Sequence, residues 1–267
     1  MPDLLLDLSP ANLIRAIESN IYPFFQAFRR WPRAEFHDDA EMLWTITDVS
    51  FSLLNSVMRA RIPPEKVDAA IETVIAQGKV RHVPLLWMAG PGSQPADLGA
   101  HLLKQGFIIE RSPGMAVDLA RLKENLPIPE GFTFQRITNP ATLTEWSRVF
   151  GECFDIPEPA VEAFCELTMC IGLDNLPTYL GRLNGKAVAT STLFFGAGVA
   201  GIYNVGTLPN ARRKGIGALM TALPLREARQ QGYRVGILQA SEMGEPVYRS
   251  LGFQEYCKYD FYEWAPD

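Results

Sequence analysis

Six consecutive residues, Arg212-Arg213-Lys214-Gly215-Ile216-Gly217, combine three cations with two glycines. They follow a strand-like run, Val199 to Thr207. They open a helical pattern over 215–231 in which Ile216, Leu219, Met220 and Leu223 share one face. The first four amide N–H groups of a helix lack intrahelical partners, and the helix dipole adds partial positive charge there. A diphosphate can sit on such an N-terminus. Gly215 and Gly217 carry no Cβ to block its approach, and the three cations strengthen the local field. Alone, a Gly-x-Gly after basic residues is equally the mark of a plain surface turn.

Other chemistries are poorly served. Cys153, Cys165, Cys170 and Cys257 form no CxxC pair, and His37, His82 and His101 lie far apart. No metal site is expected, and the cysteines read as free buried thiols. Lys+Arg is 25 against 30 Asp+Glu, a formal net charge of −5, so nucleic acid is not an expected partner. No apolar run approaches the ~18–20 residues that span a bilayer. The start, Met1-Pro2-Asp3-Leu4-Leu5-Leu6-Asp7, is acidic where a signal peptide is basic. A cytoplasmic protein without membrane attachment is expected.

The elements that must position the glycine loop are legible around it. Phe132 to Ile137 alternates like a strand. Residues 141–170 read as one or two helices broken by Pro157 and Pro159. Thr178–Leu183 and Lys186–Leu193 flank Asn184-Gly185, the strongest short hairpin signal. Gly232 should end the helix that follows the loop, before a strand from Arg234 to Ala240. In the first half, Ser9 is a candidate cap ahead of Pro10, and Leu13, Ile14 and Ile17 recur at helical spacing. Pro63-Pro64 should open a second helix and Gly78 close it. Val83–Met88 reads as a buried strand, and Phe51–Val57, with Asn55, as another. Trp31, Trp44 and Trp87 read as core rather than ligand contacts, and the three histidines as ordinary ones. Residues 122–131, polar and carrying two prolines and a glycine, read as a domain boundary.

A weak internal repeat sets VPLLWMAG, PADLGAHLLKQGF and MAVDL beside RVGILQAS, EPVYRSLGF and YDFYEW. Each half gives a strand, a short helix ending in Gly-Phe, then a strand. A spacing of about 145 residues is too long for a solenoid and fits a duplicated domain.

Arg212-x-x-Gly215-x-Gly217 resembles the (R/Q)-x-x-G-x-(G/A) signature of the GNAT superfamily, the Gcn5-related N-acetyltransferases. The resemblance extends over about residues 131–264. Thr207-Leu208-Pro209 is similar to the family's strand exit. Tyr248-Arg249-Ser250-Leu251-Gly252-Phe253 is similar to its late helix end. The Asn184-Gly185 hairpin falls where the family places its second and third strands. The implied fold class is α/β (α+β): tandem GNAT-like domains, each a mixed, mostly antiparallel sheet flanked by helices. Residues 1–125 would form a degenerate domain without the cofactor loop, structural or a wall of the acceptor pocket. Residues 130–267 would form the acetyltransferase domain.

The resemblance also implies roles. Acetyl-CoA, or another acyl-CoA, would be the co-substrate, with no metal. Arg212 and the backbone N–H groups of Arg213, Lys214, Gly215, Ile216, Gly217 and Ala218 would hold the diphosphate. Backbone groups of Val205, Gly206 and Thr207 would pair with the pantetheine arm, and an N–H of that strand would stabilise the thioester oxyanion. Tyr248 would protonate the departing thiolate, as a phenol near pKa ~10 can.

Three departures stand out. Pro224 should kink or shorten its helix unless compensated. Ser241 and Glu242 stand where many relatives have an Asn, and Ser241 could still bond the pantetheine arm. Tyr203-Asn204-Val205 offers no carboxylate, leaving water, Glu152, Asp155 or Glu245 to take the amine proton. No cysteine sits at an obvious nucleophile position, so direct attack by a primary amine is expected. The alternatives are a non-catalytic acyl-CoA sensor and a peptide N-terminal acetyltransferase. The acceptor is a small-molecule or peptide amine, and the chain a monomer or a homodimer.

Overall fold

The computed structural model describes residues 4–266. Met1–Asp3, part of the acidic start, lie outside the described residues. The chain begins with α1 (Pro10–Ser19) and α2 (Tyr22–Gln26). Then come β1 (Glu35–Asp38), β2 (Leu43–Ile46), β3 (Ser56–Met58), α3 (Val67–Arg81), β4 (Leu85–Ala89), α4 (Leu98–Lys104) and β5 (Ile108–Asp118). The second half runs β6 (Phe132–Arg136), α5 (Pro140–Phe154), α6 (Glu158–Ile171), β7 (Thr178–Leu183), β8 (Lys186–Gly196) and β9 (Val199–Thr207). It closes with α7 (Ile216–Gln230), β10 (Val235–Gln239), α8 (Glu245–Leu251) and β11 (Gln254–Trp264).

These elements form two compact units, and neither is a contiguous stretch. The first comprises Met1–Ile21 and Pro113–Tyr256, the second Tyr22–Ser112 and Cys257–Asp267. The proline-bearing stretch 122–131 therefore lies inside the first unit instead of dividing the chain in two. Strands β5 and β11 each run from one unit into the other. The repeat explains the threading. The strand after α4 pairs, as Gly114–Asp118, with β10, and the strand after α8 pairs, as Asp260–Trp264, with β4. The strand that follows the short helix of each half thus pairs with a strand of the other half.

In the first unit the strand order is β5-β10-β9-β8-β7-β6. Only β9 and β10 are parallel, because α7 carries the chain back over the sheet. Ile216, Met220 and Leu225 of α7 pack on Leu193, Ala200, Ile202 and Leu238. The α5–α6 pair carries an aromatic stack, Trp146 on Phe150 (4.9 Å) and Phe150 on Phe164 (5.0 Å). Asn184 (φ 51°) and Gly185 (φ 78°) make the two-residue hairpin turn, whose right-handed twist needs positive φ at both positions. Pro224 lies buried inside α7, which runs through it to Gln230; the expected shortening does not occur.

The second unit has the order β1-β2-β3-β4-β11, again with one parallel pair, β3–β4, joined by α3. Trp44, Val57, Ile71, Trp87 and Tyr262 share its core, and Trp31 is buried as well. Helix α3 does not stop at Gly78. It continues to Arg81, and His82 ends it in the left-handed region. Gly78 is there for packing: a Cβ would sit 3.0 Å from Leu85 Cδ1. Phe51–Val57 is not one strand; a 3-10 turn, Ser52–Leu54, precedes β3. Asn55 is buried and satisfied, its Oδ1 accepting from Thr47 N and its Nδ2 donating to Val49 O. Ser9 stands at the α1 cap without a side-chain bond. All four cysteines are free, but none is buried as expected: Cys170 is exposed and Cys153, Cys165 and Cys257 are half-buried.

Candidate functional site

The site is built where β9 leaves β10. The two strands pair only through Ala200–Gly236 and Gly201–Ile237. Beyond that point β9 pairs with β8 alone, through Tyr203–Thr192, Gly206–Thr190 and Thr207–Ala189. Two residues, Asn204 and Val205, lie opposite the single Ser191, so β9 is bulged. Asn204 takes φ 54°, a conformation that asparagine tolerates better than most residues. Thr190 Oγ1 donates to Asn204 O at 2.8 Å, and Asn204 Nδ2 donates to Thr192 Oγ1 at 3.3 Å. The far edge of Val205, Gly206 and Thr207 thus carries no strand partner among the described residues.

Gly206 is a glycine because α5 lies against it. A Cβ there would come within 2.8 Å of Cys153 Cβ and 3.0 Å of its Sγ. Burial raises the Cys153 thiol to about 11, against a smaller lowering by Arg212. The thiol is therefore protonated near neutral pH and packs against Gly206. Nothing local in the sequence links Cys153 to Gly206; the contact exists only in three dimensions.

After Thr207 a 3-10 turn, Pro209–Ala211, leads into the loop, and Arg212 Nε donates back to Thr207 O at 2.9 Å. Arg213 (φ 59°) and Gly215 (φ 77°) turn the chain into α7. Gly215 is the N-cap and offers no side chain to the first-turn amides. Ile216 is buried and anchors that turn. Arg212, Arg213, Lys214 and Gly215 are exposed, while Gly217 and Ala218 are half-buried. Space stands over Gly217, where an added Cβ would find Thr207 Oγ1 at 3.8 Å as its nearest neighbour. The open edge of β9, the three cations and the uncapped amides all lie within residues 205–218. Together they can bind an anion and an extended amide-bearing arm.

Tyr248 lies on α8 in the same apolar cluster as Ile216 and Met220, against which Val205 also packs. Its ring meets Phe253 edge-on at 5.9 Å, and Gly244 leaves room for it, since a Cβ there would be 2.7 Å from Tyr248 Cε2. Burial pushes its hydroxyl up to about 12. Ser241 is exposed and its Oγ accepts from Gly244 N at 3.2 Å, within the turn that starts α8. Of the three carboxylates considered as base, Glu245 is held by Arg249 at 2.6 Å. Glu152, exposed on α5, acts electrostatically on its neighbour Cys153. Asp155 caps α5 in the left-handed region. Among the described residues no cluster of three His, Cys, Asp or Glu could hold a metal, and no helix is long and apolar enough to cross a membrane.

The second unit has the same strand–helix–strand path without this opening. After β3, Gln94 N donates to Ala60 O at 2.9 Å and Ile62 N to Gln94 O at 3.1 Å. The loop after β4 therefore fills the gap, and α3 is preceded by Pro64, Glu65 and Lys66 in place of a glycine loop.

Residues 135–256 match the family model for an acetyltransferase (GNAT) domain. No curated protein matches the sequence. Among solved structures, a GCN5-related N-acetyltransferase from Kribbella flavida is similar with a TM-score of 0.69 at 20% identity, over 98% of this chain and 97% of that one. A GCN5-related N-acetyltransferase from Sphaerobacter thermophilus gives 0.62 at 17% identity, over 96% and 93%. A tandem GNAT protein from the clavulanic acid biosynthesis pathway gives 0.62 at 13% identity, over 97% and 95%. At these identities the likeness speaks for the fold: tandem GNAT-like, each sheet mixed and mostly antiparallel, as the resemblance implied.

Proposed function

We propose that the chain, whose residues 135–256 match the GNAT acetyltransferase-domain model, transfers an acetyl or similar acyl group from acyl-CoA to a primary amine by direct attack. The observation that carries the reading is the parting of β9 from β10 beside an uncapped, cation-flanked helix N-terminus. Arg212 and the N–H groups of residues 213–218 receive the diphosphate. The free edge of Val205–Thr207 pairs with the pantetheine arm as an added strand would, and Ser241 is a further donor to that arm. An N–H of the same edge receives the thioester oxygen as charge develops on it.

The amine must be neutral to attack. Its nitrogen bonds to the thioester carbon, the C–S bond breaks, and the sulfur takes the Tyr248 proton. Burial raises the Tyr248 phenol to about 12, so that it holds its proton near neutral pH and can serve as the acid. The amine proton leaves through water or Glu152; Glu245 is engaged by Arg249. The test is release of free CoA from acetyl-CoA against panels of small amines and of peptides with free N-termini. Acceptor-dependent release identifies the transferase and separates the two acceptor classes. Binding of acetyl-CoA without release on any panel points to a sensor, the reading that the missing carboxylate on β9 favours.

A further inference from the structure

Asn20, at the C-cap of α1, is fully buried at 0% exposure, and no motif marks it. Its Nδ2 donates to Gly196 O at 2.9 Å and, more weakly, to the carbonyls of Phe194 and Val199 at 3.4 Å. Its Oδ1 accepts from Tyr203 OH at 2.7 Å. Two glycines make room for it. A Cβ on Gly201 would stand 2.2 Å from Asn20 Oδ1, and one on Gly196 would stand 2.4 Å from Asn20 O. One turn earlier in α1, Ile17 O accepts from Gln239 Nε2 at 3.1 Å.

The positions of these partners matter. Tyr203 precedes the bulge on β9, and Gln239 is the last residue of β10. The strands stop pairing at Gly201 and Ile237. Helix α1 is therefore bonded to both strands just past the point where they part. Past the end of the ladder the strands are joined by side chains instead: the Tyr203 hydroxyl and the Gln239 amide hydrogen-bond each other, and α1, bonded to both, fixes where that pair sits.

We propose that α1 is a crossbar that sets the width of the slot between β9 and β10, with Asn20, Tyr203 and Gln239 as positioning residues for the pantetheine arm of an acyl-CoA. The proposal rests on the acyl-CoA reading given above. It assigns a part in cofactor binding to residues 10–20, well outside the stretch 135–256 that matches the family model. A slot of the wrong width misaligns hydrogen bonds to the arm but leaves the diphosphate loop on α7 untouched.

Calorimetric titration of the full chain with two ligands tests this. Acetyl-CoA carries the arm; 3′-phospho-ADP carries the nucleotide and diphosphate without it. Tyr203→Phe removes one oxygen and Gln239→Met one amide, both mild changes, whereas Asn20→Ala opens a buried hole. In Tyr203→Phe and in Gln239→Met, acetyl-CoA affinity falls about 3–10-fold, the worth of one hydrogen bond. Affinity for 3′-phospho-ADP stays within about twofold. Equal weakening of both ligands, or unchanged acetyl-CoA affinity in both variants, overturns the crossbar while leaving the acyl-CoA reading intact. A wild-type chain that does not bind acetyl-CoA overturns the reading beneath it.

Discussion

Gly217 separates what the fold needs from what the ligand needs. It is the second residue of α7, its φ is not in the left-handed region, and an added Cβ meets nothing closer than 3.8 Å. Gly217→Ala should therefore fold at least as well as wild type, gaining ~0.5–1 kcal/mol from lower backbone entropy in the unfolded chain. Gly217→Glu should also fold, since an acidic group in a first turn complements the helix dipole by ~0.3–1 kcal/mol. Both substitutions fill the space over the amides where a diphosphate would rest. A carboxylate at about 5 Å from one unit of phosphate charge repels it by ~3 kcal/mol at an effective dielectric near ~20. Screening at physiological salt reduces this to roughly 2 kcal/mol, some 30-fold in Kd. Steric exclusion adds to that. Thermal unfolding without ligand, with calorimetric titration of acetyl-CoA, reads both signs. The expected pattern is an unchanged or higher Tm, a weakened Kd for Ala, and a loss of at least about 30-fold for Glu. Wild-type affinity in Gly217→Glu would refute the reasoning, because no anion could then lie on the α7 terminus.

Four further outcomes follow from the site. Tyr248→Phe should lower kcat by ~10²–10⁴ with acetyl-CoA affinity retained; turnover equal to wild type at all pH values removes Tyr248 from the chemistry. The same tyrosine should make the fold sensitive to strong alkali. Its folded pKa is raised, so its contribution is complete below about 10 and is lost as pH rises towards about 12. That loss is measured as wild-type minus Tyr248→Phe stability in urea. Gly206→Ala should destabilise by ~1–3 kcal/mol through the clash with Cys153. Cys153→Ala in the same chain should recover part of this, and strict additivity in the double-mutant cycle would show that the two do not touch. Thr190→Val removes the hydroxyl that holds the bulge at Asn204 O. It should lose ~1 kcal/mol of stability and weaken acetyl-CoA binding, with a wild-type titration isotherm as the contrary result.

The loop, the hairpin at Asn184-Gly185, strand β9 and the helix end at Gly252-Phe253 were legible because each is written in adjacent residues. Turn glycines, basic residues and alternation need no knowledge of the rest of the chain. Gly78 is not the helix stop that its position suggests, because a glycine has two uses, turning the chain and admitting a neighbour. Only the position of Leu85 says which applies. The contact between Cys153 and Gly206, the seat of Asn20 and the filled gap in the second unit all join residues far apart in sequence and carry no local signature. Pro224 breaks a helix in isolation, yet α7 runs through it to Gln230 with the proline buried, so the expected shortening does not occur. The repeat was visible, but the pairing of each half's last strand with the other half was not. Pairing within a half and pairing across halves bury the same alternating residues, so the pattern is the same for both.

That pairing across halves ties the molecule's assembly to the clock of its synthesis. Strand β4 leaves the ribosome with Ala89, but its antiparallel neighbour arrives with Asp260–Trp264. At ~5–20 residues per second the wait is roughly 10–30 s. During it, the edge of β4 stands unpaired, a template open to any other strand. A chain cut within residues 122–131 would leave β4 and β10 each permanently without the neighbour described above. The halves are therefore expected to aggregate when made apart and to be rescued when made together.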